Sequence, residues 1–172
     1  MSLVLDGTAG MTAPQGAVYN GIQSGTAVAS TSGTSITFTG IPSWVKRVTV
    51  MFNGVSTSGT SLVQVQVGSG SVTTTGYFSA VSRNGGNSSS TTGILATAIT
   101  SATDNLSGVM SLSLISANTW CAFVGTGVSS NATGSGGGGV SPSLSGALDR
   151  VVITTVNGTD TFDAGSINIL YE

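Results

Sequence analysis

The segment SLVQVQVGS, residues 61–69, restricts the fold more than any other part of the sequence. Its valines alternate with glutamines, and a β-strand is the element in which every second side chain lies on the same face. The segment therefore predicts a strand with one buried face. The same alternation recurs in SITFTG (35–40) and in WVKRVTVMF (44–52), so we expect the chain to form sheets.

The composition extends this interpretation to the whole chain. Gly, Ser and Thr account for 79 of the 172 residues and disfavour helices. Hydrophobic residues make up 39% and charged residues 6%, whereas disordered chains are rich in charge. We predict an all-β fold, an antiparallel β-sandwich or jelly-roll-like domain with about ten strands. The candidate strands are 36–39, 44–52, 61–69, 73–82, 93–100, 107–116, 119–128, 140–147, 149–156 and 166–171.

The first 22 residues differ from the rest of the chain. A short apolar piece is followed by DGTAGMTAPQG, in which glycines and Pro14 interrupt any regular element. We predict that 1–22 is an N-terminal arm or module boundary and that 23–172 is a single β-sandwich domain. No apolar run approaches the roughly 20 residues that span a bilayer, so no membrane insertion is expected.

The chain carries very little charge. Four basic and six acidic residues give a net charge of −2, without a basic patch for a phosphate backbone, so nucleic acid is not expected as a partner. A surface with so little charge also provides little repulsion between copies. The low charge therefore favours an oligomer in which edges and apolar faces are covered.

The residue types needed for most catalysis are missing. There is no histidine, which is the commonest general base and metal ligand, and the single cysteine, Cys121, is expected to be a small core residue. Carboxylate chemistry would need two acids facing one bond, about 5 to 9 Å apart. With six acidic residues in the chain, we expect no enzyme activity, no cofactor and no metal.

The acidic pair Asp160 and Asp163 lies in NGTDTFDAG, residues 157–165. A calcium site would need six or more oxygen ligands, and the spacing matches no EF-hand loop. Asn157-Gly158 after a strand instead predicts a type I′ hairpin. Asp163 to Gly165 predicts a second turn, with the carboxylate on backbone amides and a positive φ at the glycine. We therefore assign a structural turn to Asn157, Gly158, Asp160, Asp163 and Gly165, with cation binding by the two acids as the alternative.

Three low-complexity segments interrupt the predicted strands. They are STSGTS (30–35), NGGNSSSTTG (84–93) and SSNATGSGGGG (129–139). We expect them to be surface loops, the kind of segment in which sandwich domains carry binding residues.

Two segments resemble a known family. FTGIPSWVKRVTVMFNGVSTSGTS (38–61) and LDRVVITTVNGTDTFDAGSINILYE (148–172) resemble the opening and closing segments of a domain at the C-termini of tail fibres and related virion proteins of tailed bacteriophages. LVLDGTAGMTAP (3–14) resembles a module boundary in such fibres. The resemblance implies a β-sandwich in the virion, assembled as a homotrimer with other virion proteins, that contacts a bacterial surface glycan or protein without catalysis.

By analogy with that family, receptor contacts are expected in segments 83–92 and 129–139. The candidate contact residues are Asn84, Asn87, Asn131, Tyr77 and Trp120, the two aromatic side chains as stacking platforms for sugars. Core packing is favoured over sugar contact for both aromatics, since they lie in apolar, strand-like context. A capsid decoration protein that cements the phage head is the alternative function, and a small glycan depolymerase is a third.

Overall fold

The computed structural model describes residues 4–6, 10–12, 18–19, 21–83, 86–97, 101–129 and 133–172. Their strands are, in chain order, β1 (Val4–Asp6), β2 (Gly10–Thr12), β3 (Val18–Tyr19), β4 (Gln23–Ser24), β5 (Val28–Ala29), β6 (Ser35–Thr39), β7 (Arg47–Thr57), β8 (Val63–Ser69), β9 (Ser71–Val72), β10 (Phe78–Arg83), β11 (Gly86–Ser90), β12 (Ile94–Leu95), β13 (Leu106–Ser116), β14 (Thr119–Val128), β15 (Thr133–Val140), β16 (Arg150–Thr155) and β17 (Phe162–Tyr171). The described residues include no apolar helix of membrane-spanning length.

Two antiparallel sheets form the body of the protein, as predicted. The larger one has nine strands in the order β11-β10-β15-β14-β13-β7-β17-β4, with β5 also paired to β17. The smaller one has five strands in the order β12-β8-β16-β6, with β9 paired to β8. The short strands β1, β2 and β3 form a third sheet among themselves, although the glycines and proline of this region predicted no regular element.

The core lies between the two larger sheets. The five-stranded sheet supplies valines and isoleucines that the sequence indicated, such as Val65 of β8 and Ile153 of β16. The prediction that β8 has only one buried face is wrong, because Gln64 and Gln66 on its other face are also buried. The nine-stranded sheet supplies Val50 of β7, Met110 of β13 and Ile169 of β17. Burial of this continuous apolar cluster is the main term that stabilises a sandwich of this size. The fold is therefore an all-β sandwich.

Four predicted element assignments are wrong. The glycine- and serine-rich segments 84–93 and 129–139 were expected to be loops, but they contain β11 and β15 of the nine-stranded sheet. Segment 140–147 is not a strand beyond Val140, where β15 ends. In 93–100, only Ile94–Leu95 is extended within the described residues.

Candidate functional site

Tyr77 and Trp120, proposed as exposed sugar platforms, are both in the core. Their relative exposures are 3% and 2%. The Tyr77 hydroxyl accepts a hydrogen bond from the Val67 amide (2.9 Å) and lies 2.9 Å from the Thr73 carbonyl oxygen, to which it donates. Burial raises the pKa of Tyr77 to about 12, a rise opposed by the hydrogen bond from Val67. Core packing is therefore confirmed for both aromatic side chains, and neither of them can stack on a surface glycan.

The asparagine candidates are only partly placed by the structure. Asn84 and Asn131 lie outside the described residues. Asn87 is exposed on β11, where its Cα partner across the ladder is Ser82 of β10. Of the three asparagines, Asn87 is the one that the described structure places on an accessible sheet surface.

The Asn157-Gly158 turn is present but is not a hairpin. It connects β16 to β17, and these strands belong to different sheets. Gly158 has φ = 68° and its amide donates to the Thr155 carbonyl oxygen, 3.0 Å away. Asn157 does not have the positive φ that a type I′ turn requires at its first central position. Its Oδ1 instead accepts the amides of Thr159 (3.0 Å) and Asp160 (3.2 Å), which makes this an Asx-type turn between sheets.

Asp160 and Asp163 accept hydrogen bonds from different partners. Asp160 Oδ2 accepts the Ser61 amide (2.9 Å) and Oδ1 accepts Asn157 Nδ2 (2.7 Å), which fixes the turn to the segment that precedes β8. Asp163 Oδ1 accepts the Ser56 hydroxyl of β7 at 2.6 Å, a hydroxyl instead of the predicted backbone amides. Within the described part of the chain, no three or more His, Cys, Asp or Glu side chains form a metal-ligand group. Both acids thus have scaffold partners.

Gly165 has the predicted positive φ, at 91°, but it does not lie in a turn. It is part of β17, where the pairing with β7 shifts register between Phe162 and Ala164 and again between Ala164 and Ser166. Such a shift is a β-bulge, which is a common position for glycine. A Cβ at Gly165 would lie 2.4 Å from the Gly54 carbonyl oxygen, so the bulge has no room for a side chain.

The most distinctive surface is the outer face of the nine-stranded sheet, on the side opposite the core. The ladders align three rows of residues across β7, β13, β14, β15 and β10. We call these positions the outer face: Met51, Val109, Gly125, Gly136 and Ser82; Thr49, Ser111, Phe123, Gly138 and Ala80; Arg47, Ser113, Cys121, Val140 and Phe78.

Large apolar side chains of this face are exposed. Phe78 is 74% exposed, Phe123 68% and Val109 44%. Cys121, expected in the core, lies on this face with intermediate exposure. Beyond β7 the apolar surface continues over Leu170 of β17 toward Ile22. Contiguous exposed apolar surface of this kind marks interaction sites in soluble proteins.

Glycines form a trough beside the two phenylalanines. Gly125, Gly136 and Gly138 are adjacent positions on β14 and β15, and Gly138 is the Cα partner of both Phe123 and Ala80. Because glycine has no side chain, the Phe123 ring lies partly over Gly125, 3.6 Å from the position that a Cβ there would take, and the backbone is accessible at Gly136. The outer face thus combines apolar projections with a shallow depression.

The outer face has almost no charge. Arg47 is its one charged position, and the guanidinium forms an ion pair with Glu172 at the end of β17. The uncharged polar side chains of the face are short hydroxyls, those of Thr49, Ser82 and the serines of β13, and the exposed amide of Asn87 lies next to Ser82 at the β10 edge. The fifteen positions include no His, Asp or Glu.

Sequence reasoning missed Phe78 and Phe123 as candidate site residues. A signal was present in TWCAFVGTGV (119–128), where apolar residues occupy both alternating sets of positions. A strand that is apolar on both faces has to bury both, and only one face of β14 meets the core. No protein-family model, curated protein or solved structure matches this chain significantly.

Proposed function

We propose that this chain is a structural module of a bacteriophage virion, a homotrimeric tail-fibre or receptor-binding tip that contacts a bacterial surface glycan or protein without catalysis. The proposal rests on the resemblance of 38–61 and 148–172 to the fibre-tip family. One structural observation supports treating these distant segments as a single unit. Strand β6 pairs with β16 in one sheet, and β7 pairs with β17 in the other, so the two segments build a continuous two-layered body.

The acidic side chains support a role without catalysis. Asp149 forms a two-point hydrogen bond with Arg150 (2.7 and 3.1 Å), which lowers the pKa of the carboxyl group, and it also accepts the Gly70 amide. Asp160 and Asp163 hold turns and strands together, as described above. These carboxylates therefore have structural partners.

A labelling experiment tests the proposal. Fluorescently labelled protein is incubated with a panel of bacterial strains and, in parallel, with phage capsids stripped of decoration proteins. We expect labelling of susceptible cells and none of capsids. Labelling of capsids without labelling of any cell would contradict the tip assignment and support the capsid decoration alternative.

The depolymerase alternative has its own measurement. Capsular polysaccharide from a labelled strain is incubated with the protein and its size distribution is followed by gel filtration. We expect no change in size. Progressive shortening of the polymer would contradict the non-catalytic proposal.

A further inference from the structure

The outer face of the nine-stranded sheet has the properties of a buried surface but lies in contact with solvent in the single chain. Phe78 and Phe123 have most of their side chains exposed, and only Arg47 among the fifteen positions is charged. Surfaces that stay monomeric usually place lysines or other charges on such faces to prevent association. The absence of that protection indicates that the face is covered in the functional state.

The shape of the face favours a copy of the same chain as the cover. It carries both apolar projections, Phe78 and Phe123, and the glycine trough of Gly125, Gly136 and Gly138 beside them. The phenylalanines of one copy can pack over the accessible backbone at Gly136 and Gly138 of the next copy, and in a homotrimer these contacts run in one direction around the threefold axis. Glycines in the trough also allow two sheets to approach closely.

The alternative occupant, a glycan, matches the chemistry less well. Sugar sites combine an aromatic platform with carboxylates, amides or other groups that bind several ring hydroxyls. Here Val109, Met51 and Val140 extend the apolar area, the uncharged polar groups among the fifteen positions are short hydroxyls, and a single amide, that of Asn87, lies at the edge beside Ser82. Aliphatic side chains on a flat surface are typical of protein interfaces, particularly those of obligate oligomers.

The available area is sufficient for association. Five strands spaced about 4.8 Å apart and rising about 3.4 Å per residue give a footprint of roughly 500 Å². Two such faces bury roughly 1,000 Å², the lower limit of specific interfaces, and Leu170 and Ile22 extend the area further. Uncharged surface does not repel a second copy, so the area is used fully.

We infer that the outer face, centred on Phe78, Phe123 and the glycine trough, is the surface through which copies of this chain associate. The inference deepens the proposed function, because it rests on the homotrimer of that proposal and names its interface. The face also contains a natural reporter. Cys121, the single cysteine of the sequence, is the Cα partner of Ser113 and Val140 on this face.

The first test measures mass. The full chain, the double variant Phe78→Ser/Phe123→Ser and the control Val156→Ser are compared by size-exclusion chromatography with light scattering. Val156 is an exposed apolar residue (42%) after β16, away from the outer face. We expect an oligomer for the full chain and the control and a monomer for the double variant, with unchanged far-ultraviolet circular dichroism.

The second test follows the thiol of Cys121 with a chromogenic disulfide reagent across a range of protein concentrations. We expect the reaction rate to fall at least several-fold as copies associate, and to be independent of concentration in the double variant. This measurement does not depend on chromatography and reports on the proposed face directly.

The outcomes separate the two proposals. A trimer or a dimer that the double variant dissociates supports the interface, although a dimer would contradict the trimer of the proposed function. A monomeric full chain, or a double variant with unchanged mass, overturns the interface. If the double variant keeps its mass and loses cell labelling, the face is a glycan site and the interface is likewise overturned.

Discussion

At the scale of single residues, position in the fold decides what a glycine contributes. Gly158 and Gly165 both have positive φ, at 68° and 91°. A Cβ at Gly158 would meet nothing within 4 Å, whereas one at Gly165 would overlap the backbone of Gly54. From the sequence, both were predicted to be turn glycines of one segment. The difference between them was not visible there, because the backbone that approaches Gly165 belongs to β7, a strand distant in sequence.

These two glycines give a matched pair of variants. We predict that Gly165→Ala lowers the free energy of unfolding by about 3 kcal/mol or more, since a backbone overlap adds to the strain of positive φ. Gly158→Ala introduces only the strain of positive φ, without a backbone overlap, and should lower the free energy of unfolding by about 1 kcal/mol. Urea unfolding of the two variants measures both values. Equal losses would show that the bulge relaxes around a methyl group.

A second feature at this scale is the Tyr77 hydroxyl, which accepts a hydrogen bond from the Val67 amide inside the core. We predict that Tyr77→Phe lowers the free energy of unfolding by about 2 kcal/mol, because it leaves a buried amide without an acceptor. Denaturant unfolding at neutral pH checks this. A variant as stable as the original chain would mean that water or another group replaces the hydroxyl.

The same hydroxyl predicts a pH dependence. The pKa of Tyr77 is raised from 10.0 to about 12 in the folded protein, so the unfolded chain loses this proton first. The stabilisation is complete below pH 10 and is lost as pH rises through 12, at up to about 1.4 kcal/mol per pH unit. We expect the stability difference between the original chain and Tyr77→Phe to shrink from pH 9 to pH 12. A constant difference would contradict the raised pKa.

At the scale of elements, side-chain alternation predicted the positions of strands correctly. The lack of alternation did not predict loops correctly. Strands β8, β14 and β16 lie where alternating or continuous apolar runs predicted them. Strand β15, TGSGGGGV, has almost no side chains, so no local pattern distinguishes it from a flexible loop. Its conformation is set by β10 and β14, which pair with it on both sides. Sequence reasoning therefore predicted the sandwich but not the strands that complete the outer face.

The Asn157-Gly158 turn illustrates the same limit. Local chemistry was sufficient to predict a chain reversal with a glycine at positive φ. It was not sufficient to predict which sheet the next strand joins, because that depends on the pairing of β17 with β7. The apolar context of Tyr77 and Trp120 indicated core packing, and their burial confirms it. The exposure of Phe78 and Phe123 could not be predicted in the same way, because packing decides which face of a strand is covered.

Strand β15 itself can be tested with two neighbouring outward positions. A Cβ at Gly138 would lie 2.5 Å from the Ala122 carbonyl oxygen, but at Gly136 the nearest atom is 4.0 Å away. We predict that Gly138→Ala costs about 2 to 3 kcal/mol and that Gly136→Ala changes stability by less than about 0.5 kcal/mol. Thermal and urea unfolding provide the comparison. Equal tolerance at both positions would contradict a paired strand here.

At the scale of the whole molecule, the strands divide into the sandwich and a small N-terminal sheet. In the described structure, β1, β2 and β3 have no ladder with either larger sheet. The first strand to join the sandwich is β4, which begins at Gln23 and pairs with β17. The domain boundary at residue 22, inferred from a change in composition, stays a prediction.

A truncated chain tests the boundary. We predict that residues 21–172 fold alone, with a free energy of unfolding within about 1 kcal/mol of the full chain, because the sandwich core is then complete. Circular dichroism and urea unfolding of the truncated chain measure this. A loss of several kcal/mol would show that the N-terminal sheet contributes to the core.

Strand β17 has a consequence for how the protein is made. It lies inside the larger sheet between β7 and the short strands β4 and β5, and it buries Phe162, Ile167 and Ile169. Its bond from Ser56 to Asp163 joins residues 107 positions apart. Pairings between residues so distant in sequence form late and slowly, because the entropy of the intervening loop is lost before the new contacts offset that loss. During translation, this edge of β7 therefore stays unpaired until β17 has been synthesised, and the larger sheet cannot be completed before then.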